Sequence, residues 1–363
     1  MVIYYLLFVF SAVFGYIFLD DHSGFFKIRI NLSSKTRKKI YLFVVFFIIF
    51  IIIGFRDINV GADTSGYVRE YFYAVKANGI FLGHSEIILN IVAKISLLFS
   101  EEYQMFLILH SALISLLFSK FIYDNSNNVL LSTLIFIGMF FIQSMNLMSQ
   151  WLALGFGINA YTYFIRKKYF VSFILFILAI LTHTTAVLFL IIPAIVVMKN
   201  KKNSLIFFSA FAVVLYMTSG FIFDIIINFI PRYIGYIYQP SFISEGGFNI
   251  KDMIFIIIEL FMVFLLIDKK ERFSKNMSDL GFNYAIIMMF AIVFSLMGQR
   301  FGILHRLVYY FSVFLVVALP DFTFRSRLRP IIEILLFLGM FFMLYRNSYF
   351  DNNIISDYKF FFM

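Results

Sequence analysis

Apolar runs recur along nearly the whole chain, separated by short polar breaks. A run of about 20 apolar residues is long enough to cross the hydrocarbon core of a bilayer as a helix. No water is available in that core, so each backbone N–H and C=O must pair within the protein, which leaves helices and closed barrels as the spanning forms. Runs of this length specify helices. They fall at about 2–19, 40–54, 104–123, 129–146, 150–165, 169–182, 184–198, 204–220, 252–268, 282–299, 306–320 and 330–346. Composition agrees: 62% of the 363 residues are hydrophobic and 14% charged, against about half and a quarter in soluble domains. The expectation is an all-α polytopic transmembrane helical bundle of about 12 spans. It forms a single integral membrane domain over residues 1–363, with no room for a soluble domain beside it.

Charge sets the orientation. Basic residues favour the cytoplasmic side of a membrane protein. The loop holding Lys27, Arg29, Lys35, Arg37, Lys38 and Lys39 is therefore read as cytoplasmic. So are Arg166-Lys167-Lys168, Lys199-Asn200-Lys201-Lys202, Lys269-Lys270-Glu271-Arg272, and Arg325 with Arg327 and Arg329. These agree only if the short run 86–100, with Lys94 in its middle, lies in the interface instead of spanning. Both termini then face outward. Two long outer segments result, 55–103 and 221–251. The first apolar segment, Val2 to Leu19, lacks a basic start and a small-residue cleavage site, so it reads as a retained helix.

Several functions are excluded. Cys is absent, which removes disulfides, thiol nucleophiles and Cys-ligated metals. No inner loop is long enough for a nucleotide-sugar or ATPase domain, and DxD, HExxH, P-loop and GxSxG signatures are missing. No metal and no cofactor is expected. The net charge of +10 is read through topology, not as a nucleic-acid footprint.

The densest polar stretch, Gly54 to Tyr67, begins where the second span leaves the membrane. It holds Arg56, Asp57 and Asp63 among three glycines; it is either a ligand loop or an exposed turn with an N-cap at Asp63 or Thr64. Glu86 opens the interfacial run, as a functional carboxylate or as a partner of the helix dipole. His183 sits among threonines at the outer tip of a hairpin of spans. In the turn Gln299 to Arg306, two arginines and His305 precede Tyr309 and Tyr310, against the positive-inside trend. Arg232 follows Pro231 in the other outer segment. Guanidinium groups bind phosphate in bidentate fashion, so Arg56, Arg232, Arg300 and Arg306 together suggest a lipid-linked phosphate or diphosphate. Glu259 lies mid-span, and His110 and Gln143 read as interhelical hydrogen bonders.

Arg56-Asp57, then Gly61-Ala62-Asp63-Thr64 and Tyr67, resembles the first outer loop of the EpsG/Wzy-type polysaccharide polymerases. Glu86, Ser149-Gln150-Trp151-Leu152-Ala153, and Leu178-Ala179 with His183-Thr184-Thr185-Ala186 follow in the same order. The resemblance covers roughly residues 50 to 200, with a weaker echo from Arg300 to Tyr310. One departure is clear: Ser149 stands where that family often has Arg.

The resemblance implies a GT-C-like enzyme of the bacterial inner membrane with its active site facing outward. It joins undecaprenyl-diphosphate-linked oligosaccharide units into O-antigen, capsule or exopolysaccharide, with the bilayer and a chain-length regulator as partners. On that reading Arg56, Arg300, Arg306 and Arg232 stabilise the departing diphosphate. Asp63 is the first candidate base and His183 the second, with Asp57 orienting Arg56. Tyr67, Tyr309 and Glu86 contact substrate. A flippase of the same units is the alternative; it requires cations near the midplane of the spans. A ligase, an acyltransferase and a carrier using Glu259 are further readings.

Overall fold

The computed structural model describes residues 1–19, 31–79, 86–198, 201–229, 275–324, 329–350 and 357–363. Arg232, Glu259 and the expected span 252–268 lie outside the described residues. The described elements are helical, with one isolated antiparallel bridge between Arg56 and Phe360. Two compact units divide the chain: Met1–Val187 with Leu319–Met363, and Leu188–Ala318.

The first unit starts with α1 (Val2–Leu19) and α2 (Ser34–Gly54). The Ser33 hydroxyl accepts from the Thr36 amide at 3.1 Å and caps α2. The outer segment follows as α3 (Thr64–Tyr67), a π-helical turn (Val68–Tyr73), α4 (Ala74–Asn78) and α5 (Ile87–Ser96). At about 1.5 Å per residue α5 is too short to cross a core of about 30 Å. It presents Leu89, Val92 and Ala93 inward and leaves Ile91 and Ile95 exposed, which suits the interfacial role expected of 86–100.

Next come α6 (Gln104–Asn125), then α7 (Val129–Ile135) and α8 (Phe141–Asn146) joined by a second π-helical turn (Phe136–Phe140). A Cβ on Gly54 would lie 2.5 Å from Ser111 Oγ and 3.3 Å from Ile108 Cα, so this glycine lets α2 pack close against α6. The hairpin α9 (Met148–Ile165) and α10 (Tyr169–Thr182) turns through Lys167 at φ 60°. The Ser172 hydroxyl donates to the Ala160 carbonyl at 2.8 Å and ties its arms together.

The second unit holds a 3-10 turn (Thr184–Leu190, entering from the first unit), α11 (Ile191–Val197), α12 (Lys201–Met217) and α13 (Ser219–Phe229). Then follow α14 (Lys275–Arg300), a 3-10 turn (Gly302–Val308), α15 (Tyr309–Ser312) and α16 (Leu315–Phe324). The chain returns to the first unit at Leu319, within α16, and continues with α17 (Arg329–Phe350) and the segment 357–363.

This is a multi-pass membrane protein. Among the described residues five helices are long and apolar enough to cross a bilayer, or up to seven if each bent pair counts as one span. Twelve spans were expected, one of which, 252–268, lies outside the described residues, and four of the others differ for physical reasons. The expected spans 204–220 and 306–320 are pairs of helices bent by 63° and 42°. The expected span 184–198 starts as a 3-10 turn, and α10 has 14 residues. The Val129–Asn146 span is 89% buried and central, whereas Arg329–Tyr349 is 22% buried and peripheral.

Candidate active site

The site grows from one buried carboxylate. Glu86 is the residue before α5, but its side chain does not cap that helix. It turns inward instead and is only 5% exposed. His183 Nδ1 lies 2.7 Å from Glu86 Oε1. The Ser149 hydroxyl donates to the same oxygen at 3.1 Å, and the Tyr71 hydroxyl donates to Oε2.

These contacts fix the proton positions. Burial alone pushes the Glu86 carboxyl up, but the hydrogen bond and charge of His183, with Tyr71 and Ser149, outweigh it and hold its pKa below the ordinary value. Glu86 is therefore a carboxylate, which can only accept. His183 must donate through Nδ1–H, and Ser149 through its O–H. The Ser149 oxygen is left to accept from Tyr67, whose hydroxyl lies 3.0 Å away. Burial, with the charge of Glu86, raises the Tyr67 pKa, so this hydroxyl keeps its proton. With Nδ1–H donated to Glu86, His183 Nε2 has no hydrogen-bond partner among the described residues, and the side chain is 22% exposed. A histidine oriented through Nδ1 by a carboxylate is an arrangement suited to taking a proton at Nε2.

Local structure explains how the residues meet. His183 is the extended residue that ends α10, and its amide still reaches the Ala179 carbonyl at 3.0 Å. Ser149 stands in the first turn of α9, just after the break at Leu147. Tyr67 and Tyr71 stack at 5.8 Å across the junction of α3 with the π-helical turn. The wider π turn carries Tyr71 to Glu86.

Arg56, on the loop that leads to Tyr67, is fully buried. Its Nε donates to the Val60 carbonyl at 3.2 Å, and Nη1 to that of Ile53. Its Nη2 donates to Thr64 Oγ1 at 3.3 Å and to the Met145 carbonyl at 3.1 Å. Four of the five guanidinium hydrogens are thus spent on the protein. Burial lowers its pKa to about 10, still charged at neutral pH. Arg56 pins the outer loop to the end of α8. Asn146 adds to the pin by accepting from the Ala62 amide at 3.0 Å. Gly61, at φ 98°, fits there because a Cβ would meet Thr64 Oγ1 at 2.7 Å. His110 Nε2–H donates to the Met148 carbonyl at 3.0 Å and steadies the same break from α6.

The remaining candidates sit elsewhere. The Asp57 carboxylate accepts from the amide and side chain of Asn59 at 2.9 and 2.8 Å, and no bond joins it to Arg56. Asp63 precedes α3 without capping it; its charge bears on Tyr67. In the second unit Arg300 donates to Ser219 Oγ at 3.1 Å and lies over the Tyr216 ring at 5.5 Å. Arg306 and Tyr309 are half-buried there, and the His305 ring meets Tyr309 edge-on at 6.2 Å. Arg232 lies outside the described residues.

The sequence reading missed Tyr71 and took Ser149 as the loss of a cation. Tyr71 follows Tyr67 by four residues, a spacing that puts two side chains on one helical face. No group of three or more metal-ligating side chains occurs among the described residues.

Neither the curated proteins nor the solved structures contain a match. A family model does: that of the EpsG family covers residues 39–361. The chain therefore belongs to the EpsG family, the family of Wzy-type polysaccharide polymerases.

Proposed function

We propose that this protein is a glycosyltransferase that joins undecaprenyl-diphosphate-linked oligosaccharide units into a polysaccharide at the outer face of the bacterial inner membrane. Family membership supports the polymerase class. The distribution of basic loops supports the outward site. The observation that carries the chemistry is the 2.7 Å contact between Glu86 and His183 Nδ1, with Nε2 unpartnered among the described residues.

In this mechanism an acceptor sugar hydroxyl attacks the anomeric carbon of the donor. His183 Nε2 takes the hydroxyl proton as the new glycosidic bond forms. The bond from the anomeric carbon to the diphosphate breaks, and the diphosphate leaves with the electron pair. Glu86 holds the ring and stabilises the imidazolium. Arg56 acts as a positioning residue for the loop, and Asp63 tunes Tyr67.

General-base catalysis is worth about 10²–10⁴-fold. His183→Ala should lower polymer formation by that range, with single units accumulating on the lipid carrier. Glu86→Gln should lower it by at least about 10²-fold, because the wrong tautomer of His183 becomes available. The readouts are a surface-polysaccharide gel and extracted lipid-linked intermediates. Undiminished polymer from His183→Ala would sink the assignment of the base. Units trapped at the inner face of a deletion strain would point to the flippase instead.

A further inference from the structure

Residues 357–363 reach back to the loop that holds Arg56. The Asp57 amide donates to the Lys359 carbonyl at 2.9 Å, and the Phe361 amide to the Phe55 carbonyl at 3.0 Å. The two bonds flank Arg56 and make the antiparallel bridge to Phe360. The Tyr358 hydroxyl donates to the Ile52 carbonyl at 2.9 Å, in the last turn of α2. Its ring meets Tyr4 edge-on at 5.7 Å, which adds α1 to the contact. The Phe361 ring lies 6.1 Å from Phe55.

From Arg56 the contacts continue to the site. Arg56 holds Thr64 and Met145. Thr64 begins the helix that carries Tyr67, and Met145 precedes the break before Ser149. Tyr67 and Ser149 meet at 3.0 Å, and Ser149 donates to Glu86. A backbone clamp on residues 55 and 57 holds the chain on both sides of Arg56.

We propose that residues 357–363 form a strap that fixes the Arg56 loop, with Tyr358 and the Phe361 amide as positioning groups for the Glu86–His183 site. The link to catalysis rests on the function proposed above; the strap itself does not.

The test compares Phe361→Pro, which deletes the donated N–H, with Phe361→Ala, which keeps it, in the full-length protein in lipid nanodiscs. Amide exchange at Asp57 reads the strap directly. It should quicken at least tenfold in Phe361→Pro and stay near the parent rate in Phe361→Ala. Tyr358→Phe should quicken it by a smaller factor. Polymer formation should fall about tenfold in kcat in Phe361→Pro, with KM for the lipid-linked unit within twofold, and Phe361→Ala should retain it. A general loss of fold would instead quicken exchange throughout α2. Unchanged exchange at Asp57 overturns the strap. Faster exchange with undiminished polymer overturns its positioning role. If His183→Ala also leaves polymer intact, the proposed base fails, while the Asp57 exchange rate still decides the strap.

Discussion

At the scale of single residues, two buried charges are handled in different ways. Glu86 is balanced by a histidine and two hydroxyls, whereas Arg56 is held by three carbonyl oxygens and a hydroxyl. The Arg56 arrangement depends on the fork of a guanidinium. Lys has three donors on one atom and cannot reach four acceptors set around a plane. Arg56→Lys should therefore destabilise the first unit by about 3–5 kcal/mol, as removing a partner from a buried charged network does, and thermal unfolding in detergent would measure it. The Glu86 carboxyl has a depressed pKa in the folded protein. Its contribution to stability is full above the unfolded value of about 4.3 and is lost as pH falls through the lower, folded value. Melting temperature should hold steady above about pH 5 and drop in more acid buffer, and Glu86→Gln should remove much of that acid-side drop. Glu86 and His183 were both readable as candidates from their positions at the ends of apolar runs. Their pairing was not, because 97 residues separate them and only the packing of α5 against α10 brings them together. Asp57 shows the converse: adjacency to Arg56 suggested a pair, but a side chain two residues on offered a better local turn.

At the scale of elements, the π-helical turns are the features that no hydropathy pattern revealed. A π turn adds one residue to a helical circuit without changing which residues are apolar. The turn at Val68–Tyr73 sets the angle at which Tyr71 meets Glu86. Deleting the exposed Arg69 should convert it to an ordinary α turn and rotate Tyr71 by about 100°, away from the carboxylate. Polymer formation should fall at least tenfold while helix content by circular dichroism stays constant; retained activity would show that the turn has no part in the site. The turn at Phe136–Phe140 has a packing origin. Gly138 lies against α17, where a Cβ would come 2.6 Å from the Met340 carbonyl, and Asn347 donates to the carbonyls of Gly138 and Met139. The span boundaries were less legible for a related reason. Apolar runs mark where a chain can lie in lipid, but bends such as the 63° break before Ser219 depend on tertiary packing.

At the scale of the molecule, fold class followed from the solvent. A bilayer permits few backbone solutions, so a succession of apolar runs dictated helices before any side chain was considered. The surface agrees. Leu6, Phe170, Phe173, Phe207 and Leu335 are each more than half exposed, on α1, α10, α12 and α17. Apolar exposure on that scale is stable against lipid and aggregates in water. The buried polar side chains tell the other half. Arg56, Glu86, His110 and Ser149 share the interior of the first unit, where a charge without partners is costly.

The bond from Tyr358 to Ile52 joins residues 306 positions apart. At roughly 5–20 residues per second of synthesis, the second helix waits about 15–60 s in the membrane before Tyr358 leaves the ribosome. During that interval the Arg56 loop has none of the contacts that residues 357–363 supply. The order of synthesis therefore leaves the second helix and its outer loop to hold their places on their own contacts first, and the Tyr358 bond arrives as a late addition.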